Sequence, residues 1–239
     1  MPLYVVATPI GNPDDLSPRA RQVLESADLW VVEEPKVGRR FAKSLGLQKE
    51  MMPLNEHNEA AEAAQVLQSL LEGQNLALIS DCGTPLFADP GAKLVELCHQ
   101  NGVQVIPVPG AASLTAALSV SGLLLTEFLF AGFLPRSSPE RRAVITSWLP
   151  LKRAVVVMDT PYRIAALVQD LLQELGPVQG VRVFFSLTQP EEEIFVGNLA
   201  ELTTFLGPEP PRREFVMILE AAPSKHEPKP ARVKTRKRR

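Results

Sequence analysis

Short apolar runs alternate with segments of helical spacing through roughly the first 120 residues of the chain. The runs that are typical of buried strands are Leu3–Thr8, Leu29–Val32, Met51–Leu54, Leu76–Ile79 and Val103–Val108. Each is followed by a loop and then by a segment with helix-like periodicity. Such regular alternation favours a mostly parallel sheet with helices on both faces, so the first half is predicted to be an α/β domain.

The second half is richer in strands. Strands are predicted at residues 128–133, 154–158, 181–187, 194–197 and 215–219. Because few crossover helices separate them, we predict a mixed sheet. The alternation breaks at Gly122–Thr126, which predicts an N-terminal α/β domain of residues 1–121 and a C-terminal α/β domain of residues 122–224.

The bulk composition is that of a globular protein. The 239 residues are 45% apolar and 22% charged, and this length suffices to bury a substantial core. No apolar run approaches the roughly 20 residues that span a bilayer, and Met1–Tyr4 lacks the basic start of a signal peptide. Cys82 and Cys98 lack the spacing of a metal site or a disulfide framework. We therefore expect a cytoplasmic protein with no membrane segment and no metal.

Charge is distributed unevenly along the chain, although the formal net charge is only -2. Residues 225–239 contain eight Lys and Arg but one Glu, a charge of +7 that leaves -9 on the remainder. A basic tail without an apolar face is expected to be disordered and attracted to phosphates, which makes RNA a candidate partner. A solubilising end that contacts nothing specific explains the same charges.

Loops rich in Pro and Gly follow several predicted strands of the first half. These loops are Pro9–Pro13, Glu33–Lys36, Asp81–Gly91 and Pro109–Ser113. Since the carboxyl ends of parallel strands meet at one edge of a sheet, the loops are expected to line a ligand crevice there. Gly allows a close backbone approach to a ligand and Pro stiffens the path of the chain, although ordinary turns use the same residues.

Several common cofactor and catalytic motifs are absent from the sequence. It contains no GxGxxG after the first strand, no GxxxxGK[ST] and no GxSxG, which argues against a nucleotide-binding Rossmann site, a P-loop and a nucleophile elbow. The histidines His57, His99 and His226 are scattered, so a zinc site is not predicted. The remaining feature is a crevice of stiff loops, which suits an adenosine-bearing ligand held mainly by backbone groups.

Six blocks of sequence, in the same order, resemble the tetrapyrrole-methylase superfamily and, within it, the bacterial ribose 2′-O-methyltransferases of small-subunit ribosomal RNA. The blocks are Thr8–Asn12 with Asp15–Ala20, Ser80–Leu86 with Asp89–Gly91, Pro109–Ser113, Ser121–Leu123, Gly132–Pro135 and Thr160–Ile164. They extend over residues 3 to about 220.

The resemblance implies two α/β domains with S-adenosylmethionine in the cleft between them, usually in a homodimer. It implies small-subunit ribosomal RNA as the partner. The residues that it places at the cofactor are Pro9, Ile10, Asp81, Gly83, Thr84, Phe87, Ala112, Ser113 and Asp159.

A ribose hydroxyl is a poor nucleophile, so a base or a nearby cation is expected to assist methyl transfer. The candidates at or beside the loop edges are Glu33, Glu34, Lys36 and Glu59, with His57 next to them. Each of these side chains is equally explained as a solvated charge or a helix cap. Cys82 is expected only to line its loop, because methyl transfer from a sulfonium needs no thiol nucleophile.

The sequence departs from the family pattern at two positions near the acceptor. Glu33–Lys36 stands where the family usually has Glu-Asp-Thr-Arg, and Ser186–Gln189 stands where Glu-Leu-Thr-Lys is common. The family's additional C-terminal segment is also replaced by the basic tail. Two alternatives therefore remain: a methyltransferase of this fold that acts on a tetrapyrrole or another small molecule, and a non-catalytic paralogue that only binds the cofactor.

Overall fold

The computed structural model describes residues 1–221, apart from the side chain of Ala60. The predicted basic tail at residues 225–239 lies outside the described residues. The elements of the first half are β1 (Leu3–Val6), α1 (Pro18–Ser26), β2 (Leu29–Val32), α2 (Pro35–Ser44), β3 (Glu50–Pro53), α3 (Glu59–Leu71), β4 (Leu76–Ile79), α4 (Ala92–Gln100), β5 (Val105–Val108) and α5 (Ser113–Val120). Those of the second half are β6 (Phe128–Phe133), α6 (Ser138–Thr146), β7 (Ala154–Asp159), α7 (Ile164–Leu175), β8 (Gly180–Phe185), β9 (Glu193–Asn198), α8 (Leu199–Leu206) and β10 (Phe215–Leu219).

The first five strands form one parallel sheet in the order β3-β2-β4-β1-β5. All of these strands point the same way, so the loops that follow them emerge at a single edge. This confirms the predicted parallel sheet.

The last five strands form a second sheet in the order β6-β7-β10-β8-β9. Strands β6 and β7 are parallel, whereas β10 runs antiparallel to both β7 and β8, and β9 runs antiparallel to β8. The mixed sheet predicted for the second half is therefore confirmed. Its antiparallel pairing brings the ends of β7 and β8 beside the start of β10.

Local capping explains where several helices begin. Ser17 Oγ accepts a hydrogen bond of 3.0 Å from the Ala20 amide, and Pro18 opens α1. Asn198 and Glu201 form a reciprocal capping box at the start of α8. Helix α2 begins at Pro35, a residue that is favoured at the first helical position.

Helices cover both faces of the first sheet. The side chains of Ala20 and Leu24 on α1 pack with Trp30 on one face, while those of Leu70 on α3 and Leu94 on α4 pack on the other. All five side chains are fully buried. The sheet is thus held between two apolar layers, which leaves its strand ends as the place for polar chemistry.

Helix α5 connects the two halves. It follows β5 in the chain, yet its buried side chains Leu114 and Ala117 pack against Val156, Phe184 and Ile218 of the second sheet. Helix α5 therefore belongs to the core cluster of the second sheet. The domain boundary at residue 121 stays a prediction.

Within residues 1–221, no helix combines the length and the apolar character that crossing a membrane requires.

Candidate active site

Three loops at the carboxyl edge of the first sheet are hydrogen-bonded to one another. The Thr8 amide, after β1, donates to the Gly83 carbonyl at 2.9 Å. Thr84 Oγ1, after β4, donates to the Ala111 carbonyl at 3.0 Å, just before α5. We call the loops after β1, β2, β4 and β5 the first edge.

Gly83 lies at a tight point of the first edge. Its φ angle is +82°, and a Cβ placed there would lie 3.1 Å from Ile10 Cγ2. Only glycine adopts this conformation without strain, and the residue is buried against Ile10. The structure therefore brings the predicted cofactor residues Ile10, Gly83 and Thr84 together. It places Ala112 and Ser113 beside them at the start of α5.

The remaining predicted contacts of the first edge occupy different surroundings. Pro9 is half-buried beside Ile10, whereas Asp81 is exposed at the end of β4. The Phe87 ring lies 4.5 Å from the Phe130 ring of β6, measured between centroids, and remains 43% exposed. Phe87 therefore contacts the second half of the molecule.

Carboxylates gather at the first edge. Glu33 is half-buried directly after β2, and this burial raises the pKa of its carboxyl. The negative charges of Asp89, Asp81 and Glu56 raise that pKa further. Because like charges that are close together resist ionising at the same time, Glu33 binds a proton more tightly than an ordinary glutamate.

Burial also raises the pKa values of Asp81 and Asp89. The neighbouring Glu34 backbone and Ser80 side chain partly oppose the rise at Asp81 and at Asp89, respectively. Both aspartates nevertheless stay above their ordinary pKa values. We refer to Glu33, Asp81 and Asp89 as the carboxylate cluster.

Cys82 lies within this cluster. Its side chain reaches solvent, yet burial of the thiol and then the charges of Asp89, Glu214, Asp81 and Glu33 raise its pKa. The thiol therefore stays protonated at neutral pH, which argues against a nucleophilic role. The influence of Glu214 also shows that the second half approaches the cluster.

The other predicted catalytic residues are engaged elsewhere. Glu34 caps α2, since its Oε1 accepts from the Lys36 amide at 3.1 Å, and the Lys36 side chain is exposed. Glu59 Oε1 accepts from the amides of Gly91 and Lys93 at 2.8 and 3.0 Å and so caps α4. The His57 side chain is 87% exposed. Of the four predicted residues, only Glu33 is half-buried in the carboxylate cluster.

Asp159 lies in the second sheet as the last residue of β7. Its side chain is fully buried, and Oδ1 accepts from the Thr160 amide at 2.7 Å and pairs with Arg163 at 3.2 Å. Burial raises its pKa. Its Oδ2 atom has no hydrogen-bond partner within the part of the chain that the structure describes. None of these contacts involves the first edge.

The first edge packs against the second sheet. The Asn12 amide donates to Thr188 Oγ1 at 3.1 Å. A Cβ on Gly11 would lie 2.5 Å from Gln189 Cγ and 2.9 Å from the Leu187 carbonyl oxygen. We call the ends of β7 and β8 and the start of β10 the second edge; the two edges face each other.

Two shallow cavities lie in the second half. One, of about 280 Å³, belongs to the second edge and is lined by Ser186, Gln189, Glu191, Arg212, Arg213 and Glu214. The other, of about 330 Å³, is lined by residues of α6 and α7. Neither contains a residue of the first edge. Residues 1–221 also contain no group of three or more His, Cys, Asp or Glu side chains placed to hold a metal ion.

Comparison with known proteins identifies the class. The sequence model of the tetrapyrrole (corrin/porphyrin) methylases matches residues 2–203. The structure resembles that of a diphthine synthase, with a TM-score of 0.72 at 16% identity over 92% of this chain and 90% of that one. It also resembles uroporphyrin-III C-methyltransferase from Thermus thermophilus in complex with S-adenosyl homocysteine, with a TM-score of 0.62 at 20% identity over 92% and 97% of the two chains. The fold and the matching sequence model are those of the tetrapyrrole methylases.

A closer relative defines the group. Ribosomal RNA small subunit methyltransferase I of Xylella fastidiosa is 38% identical over 222 residues, which cover 92% of this chain and 81% of that protein. The chain thus belongs to the tetrapyrrole methylase family, and within it to the group of ribosomal RNA small subunit methyltransferase I. The predicted family and the predicted cofactor are both confirmed.

Sequence reasoning did not select Asp89 or Glu214 as site residues. Asp89 stands inside the Asp81–Gly91 block, so a search for carboxylates in that loop could have found it. No sequence pattern marks Glu214 as a site residue. Its charge acts on Cys82 only because β10 pairs antiparallel to β7 in the folded chain.

Proposed function

We propose that this chain transfers a methyl group from S-adenosylmethionine to a ribose 2′-hydroxyl of small-subunit ribosomal RNA. Support for the RNA comes from the names of its relatives. Support for transfer to a hydroxyl comes from one observation above all, the raised pKa of the half-buried Glu33.

The first edge offers backbone groups to the cofactor. Gly83, at a φ of +82° and packed against Ile10, carries no side chain at this point of the loop. Thr84 and the Ala112–Ser113 start of α5 border the same place. These residues would hold S-adenosylmethionine largely through backbone groups. When bound, the cofactor supplies a methyl group activated by a sulfonium.

Glu33 would act as the general base. A base works best when its pKa lies close to the working pH, because it must be ionised and still attract the proton strongly. Burial and the negative Asp81 and Asp89 move Glu33 in that direction. Glu33 would therefore accept the proton of the ribose hydroxyl, while the packed edges restrict the approach of the acceptor and contribute alignment.

Transfer of labelled methyl from S-adenosylmethionine to isolated small ribosomal subunits tests the proposal. A 2′-O-methyl group blocks alkaline cleavage, so the label should be recovered in alkali-resistant dinucleotides. Label released in mononucleotides would point to a base methylase instead. Cofactor binding without transfer to any subunit or assembly intermediate would support the non-catalytic alternative.

The neighbouring glutamates provide a matched pair of variants. Glu33→Gln should abolish transfer, whereas Glu34→Gln should retain it, because a glutamine oxygen can still cap α2. An equal loss of methyl transfer in both variants would contradict the assignment of Glu33 as the general base.

A cytoplasmic location and a homodimer complete the proposal. Ribosomal RNA as substrate supports the location. Sedimentation equilibrium of the purified chain would test the dimer. A molecular mass equal to that of one chain would contradict it.

A further inference from the structure

Tyr162 is an unusually exposed aromatic residue at the second edge. Its side chain is 73% exposed in the short turn Pro161–Arg163 that follows β7. Large aromatic side chains bury much apolar area when folded inwards, so one that faces solvent is a candidate for binding.

Arg212 lies over the Tyr162 ring, with Cζ 4.8 Å from the ring centroid. The two residues meet because β7 and β10 are antiparallel and Asp159 pairs with Phe215. Tyr162 lies three positions after Asp159, and Arg212 lies three positions before Phe215, so both extend past the same end of the paired strands. Arg212 takes part in no ion pair among residues 1–221. The Tyr162–Arg212 pair thus joins an aromatic ring to a cation that no carboxylate of the described chain neutralises.

The adjacent arginine is held differently. The Arg213 guanidinium lies 4.6 Å from the Phe185 ring centroid and pairs with Glu193 at 2.8 Å. Both arginines line the cavity of about 280 Å³ at the second edge. Arg212 thus lines this cavity and also lies over the ring of Tyr162, which is therefore next to the cavity.

The position of this cavity connects it to the first edge. Gln189 lines the same cavity, and its Cγ would lie 2.5 Å from a Cβ placed on Gly11 of the first edge. A chain that crosses the cavity would therefore pass along the first edge.

We propose that Tyr162 and Arg212 form a stacking platform for an unpaired nucleobase of the RNA, beside the nucleotide that is methylated. Aromatic rings and planar guanidinium groups are the surfaces on which proteins stack unpaired bases. Arg212 also supplies the positive charge that the phosphates of the same strand require. The inference depends on the proposed function for its choice of ligand.

Binding of a single-stranded RNA oligonucleotide containing 2-aminopurine tests the platform without requiring catalysis. Stacking should quench the fluorescence of this base analogue in the presence of the unaltered chain. Tyr162→Ala should lose the quench and weaken binding roughly 5- to 100-fold, which corresponds to one stacked base. Tyr162→Phe should behave as the original, since the ring and not the hydroxyl does the stacking.

The charge is tested separately at Arg212. Arg212→Lys should preserve the salt dependence of binding but not the full quench, and Arg212→Ala should lose both, because lysine keeps the charge without the planar group. Arg153→Ala is the matched control. Arg153 lies just before the start of β7, at the opposite end of this strand from Tyr162, and its side chain pairs with Glu127. This variant should leave RNA binding unchanged.

Normal binding and quenching by Tyr162→Ala, or no RNA binding by the unaltered chain, would overturn the platform. A different result would contradict the proposed function alone. In that case RNA binding would depend on Tyr162, but no methyl group would be transferred to small ribosomal subunits. Calorimetry with S-adenosylmethionine should give the same affinity for all of these variants.

Discussion

The two facing edges differ in both construction and charge. The first edge is made of loops that follow parallel strands, and it presents glycine backbone and the carboxylate cluster. The second edge is made where antiparallel strands end and begin, and it presents Tyr162, Arg212 and Arg213. The difference suggests a division of labour. A backbone-rich edge suits a cofactor and the proton chemistry, whereas an edge of large cationic and aromatic side chains suits RNA.

Removing the base should have the largest effect. Glu33→Gln is expected to lower kcat roughly 10²- to 10⁴-fold, the usual contribution of a general base, and to leave the affinity for S-adenosylmethionine unchanged. Single-turnover methyl transfer to small ribosomal subunits measures this loss. A decrease in cofactor affinity with kcat preserved would instead assign Glu33 to binding.

The second half of the chain should depend for its stability on a buried ion pair between α6 and α7. Arg141 and Asp170 are 2.5 Å apart with side chains only 4% and 9% exposed, and Arg141 also donates to the carbonyls of Pro135 and Arg136. Asp170→Ala leaves a buried charge without its partner, so we expect a loss of about 3–5 kcal/mol in the free energy of unfolding.

Urea unfolding measures this loss, and Glu127→Ala is the control. Glu127 pairs with Arg153 at the surface, where such pairs contribute about 1 kcal/mol or less. Similar losses in the two variants would contradict the importance of the buried pair.

The contact between the edges should be sensitive to a single methyl group. Gly11→Ala places a Cβ 2.9 Å from the Leu187 carbonyl oxygen, so overpacking should cost about 1–3 kcal/mol of stability and reduce methyl transfer. Gln189→Ala combined with Gly11→Ala should recover only part of the loss, because the backbone contact remains. Full stability in Gly11→Ala would mean that the edges separate easily.

The smallest effect concerns the dependence of stability on pH. The folded carboxylate cluster has raised pKa values, so the folded state binds protons more tightly than the unfolded state. Protonation of the cluster therefore stabilises the folded state. This contribution to the free energy of unfolding is fully present below the unfolded pKa values and is lost as the pH rises through the folded pKa values. Glu33→Gln should therefore raise Tm by about 1–3 °C at pH 7 and by less near pH 4.

Thermal unfolding of the Glu33→Gln and Glu34→Gln variants at both pH values tests this reasoning. The Glu34→Gln protein should follow the unaltered chain. A lower Tm for Glu33→Gln at pH 7 would contradict a strained cluster.

The sequence predicted those features that depend on local pattern. Apolar runs located the strands, because these signals lie within a few residues of one another. The sequence did not predict that Glu59 caps a helix 32 positions away, or that Thr188 accepts from the Asn12 amide 176 positions away. Such roles arise from tertiary contacts, which spacing along the chain does not encode.

Calorimetry with S-adenosylmethionine tests the division between the edges most directly. Gly83→Ala should abolish the heat of binding, because a Cβ at φ +82° is strained and approaches Ile10, whereas Tyr162→Ala should bind the cofactor as the unaltered chain does. A cooperative thermal unfolding transition above the working temperature would confirm that both variants are folded. Normal binding by folded Gly83→Ala, or loss of binding in Tyr162→Ala, would contradict the account.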